Sequence, residues 1–202
     1  MEHSVELPAS LNPPPARPVL LECYTDPLCP QSAAFEQHGQ RLRADFGHRF
    51  AWRYRLRSLP ASSYPACLAV KCAERQSAQA GELYLRAVRA AVTRQGHHAA
   101  CPATLAAVAA ALAAQFPAVF DAAVFRQDMA ANAGEAALLE DAQQAHRHHI
   151  RCWPSLVVVR RGPGPGAVLT GGSQPYEALL QALAALAPDV FYEPSLVDGG
   201  AG

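Results

Sequence analysis

Apolar positions along the chain change their period three times. Val19, Leu20 and Leu21 form a short apolar strand, after which Phe35, His38, Leu42 and Phe46 recur at the spacing of one helix face. The segment "FAWRYRL" then alternates, with Phe50, Trp52, Tyr54 and Leu56 on one side and Ala51, Arg53 and Arg55 on the other, which predicts a second strand. A crossover of this length suits a right-handed parallel βαβ unit. From 65 to 150 no convincing strand is readable. Segments 65–95, 103–115, 118–131 and 133–149 read as helices, punctuated by "RQGHH", Pro102, Pro117 and "NAG". "PSLVVVRR" and "GAVLTGG" flank the turn "GPGPG" and predict a β-hairpin, and a last helix is expected over Gln174–Ala187. The order βαβ, helical block, ββα predicts an α/β sheet with a helical subdomain inserted in its middle. The expected division is a Pro-rich flexible lead at 1–17, a sheet domain from 18–64 and 150–192, the inserted block at 65–149, and a loose tail at 193–202.

Composition narrows the setting. With 202 residues, half of them apolar and 17% charged, the chain can bury a sizeable core. The 17 basic and 17 acidic residues cancel, so charge makes no case for nucleic acid or an anionic membrane as partner. The start of the chain lacks the basic region and apolar stretch of a secretory signal, and no run approaches the roughly 20 apolar residues of a membrane span. A cytoplasmic location is therefore expected, with the six cysteines reduced and not paired as a disulfide framework. None of them forms a CxxC pair, so no structural zinc site and no metal is expected.

The chemistry concentrates in "YTDPLCPQS", residues 24–32. A strand ends in an Asp-Pro turn and a helix starts with Pro30 at its first position, which puts Cys29 at the N-cap. There the unpaired N–H groups and the positive end of the helix dipole favour the thiolate, and such cysteines fall from about 8.5 toward roughly 3.5–7.5. A second oddity agrees: in "RCWPSLVVV" a proline opens an apolar strand behind a bulky residue and gives up a ladder donor, as a cis Trp153–Pro154 turn would.

Taken together, these segments resemble the thioredoxin superfamily, and within it the DsbA-like branch that includes FrnE-like proteins and Spx-adaptor relatives. "YTDPLCPQS" is similar to that branch's strand–TDPxCPxx–helix site, "CWPSLVVV" to its cis-proline strand, and "SYPACLAVKCAERQ" to the start of its inserted helical subdomain. The resemblance implies a thioredoxin-like fold over roughly 18–187, with Cys29 as nucleophile, Pro154 as the cis-proline and Ser32 where a resolving cysteine usually stands. Ser32 cannot close a disulfide with Cys29, and Gln31 replaces a frequent aromatic residue. What the resemblance then implies is monothiol chemistry, in which the Cys29 thiolate forms mixed disulfides with protein or peptide thiols. An outside thiol such as glutathione resolves them. No tightly bound cofactor is expected. The Ser32 hydroxyl, one helical turn on, is a candidate donor to the thiolate. Pro30, Gln31, Trp153 and Pro154 are expected to shape the substrate shelf, where an extended peptide pairs in strand-addition fashion.

Other residues carry candidate chemistry. Asp26 either accepts backbone N–H bonds in the turn or shuttles a proton. Cys152 is a conceivable resolving thiol. Arg53, Arg55 and Arg57 form a basic row that is solvated, paired with helix carboxylates, or turned toward an anionic substrate. His146, His148 and His149 with Cys152 are a metal cluster only if the helix end gathers them. Two alternative functions share the fold: a non-catalytic adaptor that holds a partner protein, and a glutathione-dependent isomerase or transferase of the kappa or hydroxychromene-carboxylate type. Relatives of the latter type usually carry serine where this chain has Cys29.

Overall fold

The computed structural model describes residues 19–57, 61–95, 101–160, 167–170 and 174–191. The lead 1–17, the tail 193–202, the "GPGPG" turn and His97–His98 lie outside the described residues. Strand β1 (Val19–Thr25) leads into helix α1 (Pro30–Phe46), which returns to β2 (Phe50–Leu56). Helices α2 (Tyr64–Glu74), α3 (Ala78–Gln95), α4 (Pro102–Gln115), α5 (Ala122–Ala130) and α6 (Glu135–Arg147) follow. The chain then adds β3 (Ser155–Arg160), β4 (Ala167–Thr170), α7 (Tyr176–Leu186) and α8 (Pro188–Phe191). The sheet runs β2-β1-β3-β4, with β1 parallel to β2 and the other neighbours antiparallel. This is a thioredoxin-like fold in which a helical block stands between β2 and β3.

Strand β1 is buried on both faces, and its alternation decides what each face meets. Val19, Leu21 and Cys23 join Phe35, Leu42 and Phe46 of α1 and Leu179 and Leu183 of α7 in one core. Tyr24 lies on the opposite face with Val157, Ala145 and Ile150 at the end of α6. The helical block has its own core, where Tyr84, Phe120 and Phe125 stack against one another and the Tyr84 hydroxyl donates to the Leu105 carbonyl at 2.8 Å.

Three expected helices need correction. The single helix expected over 65–95 is two, because Ser77 caps a new one: its Oγ accepts from the Ala80 N–H at 3.0 Å. The tight return suits Gly81, where an added Cβ would stand 2.8 Å from the Glu74 Cβ. The helix expected over 118–131 starts only at Ala122, since Asp121 accepts from the N–H groups of Ala123 and Val124 and sets the start. The last expected helix stops at Leu186, and α8 follows it as a separate turn.

Candidate active site around Cys29

Strand β1 stops at Thr25, and Asp26 folds the chain back. Its carbonyl accepts the Cys29 N–H at 3.2 Å, its Oδ1 accepts the Leu28 N–H at 2.7 Å, and its Oδ2 accepts from Ser63 Oγ at 2.6 Å. Asp26 is 2% exposed. Its turn role is thus what the geometry displays, and through Ser63 the same carboxylate ties the loop to the entry of α2. Cys29 then takes an extended backbone (φ −78°, ψ 119°) as N-cap of α1, with Pro30 in the first turn and no side-chain cap bond. Its half-buried thiol donates to Gln31 Oε1 at 3.2 Å. Ser32 is 2% exposed and its Oγ has no hydrogen-bond partner among the described residues. The expected contact between Ser32 and the sulfur is therefore not made, because the S–H is turned toward Gln31.

The Trp153–Pro154 peptide is cis, and Ser155, the residue after it, is the register partner of Tyr24. Pro154 accordingly stands at the same end of the sheet as the Asp26–Cys29 loop. Trp153 is held from β2: its Nε1–H donates to the Arg57 carbonyl at 3.2 Å, and the Arg57 guanidinium lies 5.8 Å from its ring centre. The Arg57 N–H in turn donates to the Thr25 carbonyl at 3.3 Å, so the two loops share one anchor. Cys152 is an exposed free thiol with its sulfur 4.0 Å from Ser155 Oγ.

The remaining candidates separate. Arg55 is buried and paired with Glu22, Glu140 and Asp141, Arg53 is half-exposed beside Glu22, and Arg57 alone of the three reaches the site. His148 packs edge-on against Tyr24, and among the described residues no three His, Cys, Asp or Glu side chains are gathered to hold a metal ion. Burial pushes the Cys23 thiol up to about 12 and Cys67 well above the usual thiol range, with the Asp26 carboxylate adding to the latter. Burial also raises Cys72. Cys101 is exposed, and its bond with the Thr104 hydroxyl at 3.2 Å leads the causes that lower it. Sequence reasoning gave no role to Ser63, Thr25 or Arg89. Arg89 is 5% exposed and spans from α3 to Glu36 of α1, at 2.7 Å, and to the Thr25 hydroxyl. No local pattern marks such a residue, since its partners lie in other elements.

Residues 56–181 match the family described as thioredoxin. Solved structures share the fold at low identity. DsbA2 of Pseudomonas aeruginosa has a TM-score of 0.66 at 19% identity, covering 90% of this chain and 92% of its own. Oxidised BdbD of Bacillus subtilis has a TM-score of 0.68 at 12% identity, covering 85% and 88%. The oxidoreductase DsbA of Xylella fastidiosa has a TM-score of 0.68 at 16% identity, covering 86% and 87%. Among the described residues, no helix is long and apolar enough to cross a membrane.

Proposed function

The chain belongs to the thioredoxin superfamily, in its DsbA-like form, and from that premise we propose that it is a thiol–disulfide oxidoreductase working through Cys29 alone. The observation that carries this reading is the half-buried Cys29 thiol at the N-cap of α1, with no side-chain cap bond committing it and Pro30 behind it. A helix's first turn leaves N–H groups without intrahelical partners and a partial positive charge, both of which favour a thiolate. The buried, unpartnered Ser32 hydroxyl supports the same reading. While Cys29 is a thiol it donates to Gln31; once deprotonated its sulfur is an acceptor, and a side-chain rotation toward Ser32 satisfies both groups. The thiolate attacks one sulfur of a disulfide, joins it as a mixed disulfide and expels the other sulfur as a thiolate. A second, external thiol then attacks the mixed disulfide and returns Cys29. Trp153 and cis-Pro154 form the shelf along which an extended peptide lies. Protein or peptide thiols and disulfides are the proposed partners and glutathione or a similar small thiol the proposed resolving agent. A cytosol, where such thiols are abundant, is the proposed setting.

The test is turnover of a glutathione mixed disulfide by the full chain, with the bonded cysteine identified by peptide mass spectrometry. Glutathione is expected on Cys29, and Cys29→Ala is expected to abolish turnover, since no covalent route remains. Equal turnover in Cys29→Ala would sink the reading and leave the adaptor, which needs the site's shape and not its sulfur.

A further inference from the structure

A cavity of about 240 Å³ opens beside Cys29 on the side of the helical block, walled by Pro27, Leu28, Pro30, Ala33, Val92 and Arg89. It adjoins the nucleophile, yet neither Trp153 nor Pro154 contributes to it, so it is a second surface at the same sulfur. It is smaller than the roughly 300–1,000 Å³ of pockets that take drug-sized ligands. A single ring or a short aliphatic chain is what it has room for.

Apart from Cys29 itself, the walls are apolar but for Arg89 and Thr93, whose hydroxyl donates to the Arg89 carbonyl at 3.0 Å. Arg89 is 5% exposed; its two terminal nitrogens go to Glu36 and the Thr25 hydroxyl, and its buried Nε–H has no acceptor among the described residues. The charge behind the wall is not balanced either. Arg43, Arg86 and Arg89 share Glu36 and Glu82, three guanidinium groups against two carboxylates. A buried donor without an acceptor is costly. Arg89 thus lends the cavity wall positive charge, with three guanidinium groups against two carboxylates on that side.

We propose that this cavity seats the acid-bearing half of a small disulfide: its carbon body rests against Pro27, Leu28, Pro30 and Val92, and its carboxylate is drawn to Arg89. The inference rests on the proposed reactivity of Cys29 and gives it a substrate class, low-molecular-weight carboxylate disulfides. When the Cys29 thiolate attacks, the seated sulfur becomes bonded to Cys29 and the other half leaves as a thiolate, so no further oxidant or reductant is consumed.

The experiment compares Cys29 in the full chain with three reagents: dithiobis(nitrobenzoate), which carries a carboxylate on each ring; dithiodipyridine, an aromatic disulfide without carboxylates; and methyl methanethiosulfonate, too small to need the cavity. Rates are read at the Cys29 peptide by mass spectrometry and divided by those of the exposed Cys101 in the same sample, which removes the reagents' intrinsic difference. The expected result is a normalised preference of about tenfold for the carboxylate disulfide, shrinking as salt is added. Arg89→Gln is expected to abolish the preference, with methyl methanethiosulfonate unaffected. Because Arg89 is buried and its replacement removes internal bonds as well as charge, Val92→Phe is the second variant: it fills the cavity and is expected to slow both aromatic disulfides but not the small reagent. Equal normalised rates for the two aromatic disulfides in the unmodified chain overturn this inference while leaving Cys29 a reactive thiol. A Cys29 inert to all three reagents overturns the proposed function and the inference with it.

Discussion

Cys23 lies 2% exposed beneath α1, and the burial that pushes its thiol up to about 12 removes it from chemistry at neutral pH. Cys101 shows the opposite case. Like Cys29 it is an N-cap followed by proline, but it is exposed and its sulfur is engaged by the Thr104 hydroxyl. That bond leads the causes lowering Cys101, so Thr104→Val is expected to move the pH midpoint of Cys101 alkylation upward; an unchanged midpoint would assign the effect to backbone N–H groups instead. Asp26 illustrates a different dependence. Ser63→Ala removes a 2.6 Å donor from a buried carboxylate and is expected to cost about 1–3 kcal/mol in denaturant unfolding, together with slower mixed-disulfide turnover as the Cys29 loop loosens. A loss of stability with unchanged turnover would separate Ser63 from the site. The thiol at Cys29 was readable from the chain because proline, cysteine and the strand-end turn are neighbours in sequence. Ser63 and Arg89 were not, because each acts on a residue that only folding brings near.

Helix α6 is joined to the sheet by charge more than by grease. Asp141 is 1% exposed; its carboxylate takes the Leu56 N–H at 2.7 Å, Arg55 at 2.8 Å and Lys71 at 2.7 Å. Glu22 closes the network from β1 by accepting from Arg55 at 2.8 Å. Removing one member of such a buried set strands the others, so Asp141→Ala is expected to lower unfolding stability by about 3–5 kcal/mol. A loss under about 1 kcal/mol, the worth of a surface pair, would mean that water replaces the carboxylate. The basic row on β2 was visible in the alternation of "FAWRYRL", but its meaning was not. Whether Arg55 meets water or a carboxylate depends on α6, whose Asp141 sits 86 residues away in sequence. Helix starts failed for a related reason: Asp121 and Ser77 are ordinary polar letters until their oxygens are seen to take N–H groups two and three residues on.

The element order of the whole chain was legible because strands and helices differ in period, and because the helical block interrupts the sheet once and cleanly. What the order did not convey is how tightly the block is tied back: the Asp26–Ser63 bond, the Arg89 bridge and the Asp141 network all join it to β1, β2 or α1.

That insertion has a consequence for how the molecule is made. Strand β1 lies between β2 and β3, pairing Glu22 with Arg53 on one side and Val157 on the other, and the second pairing spans the entire helical block. During synthesis β1 and β2 leave the ribosome with one edge of β1 bare until β3 arrives. Helices α2 to α6 emerge in between, rich in local contacts, and can form before the sheet closes. By folding first they bring the ends of β2 and β3 together and shorten the loop whose closure the sheet must otherwise bear. The block that walls the cavity at Cys29 is thus also the clasp by which the chain finishes its own sheet.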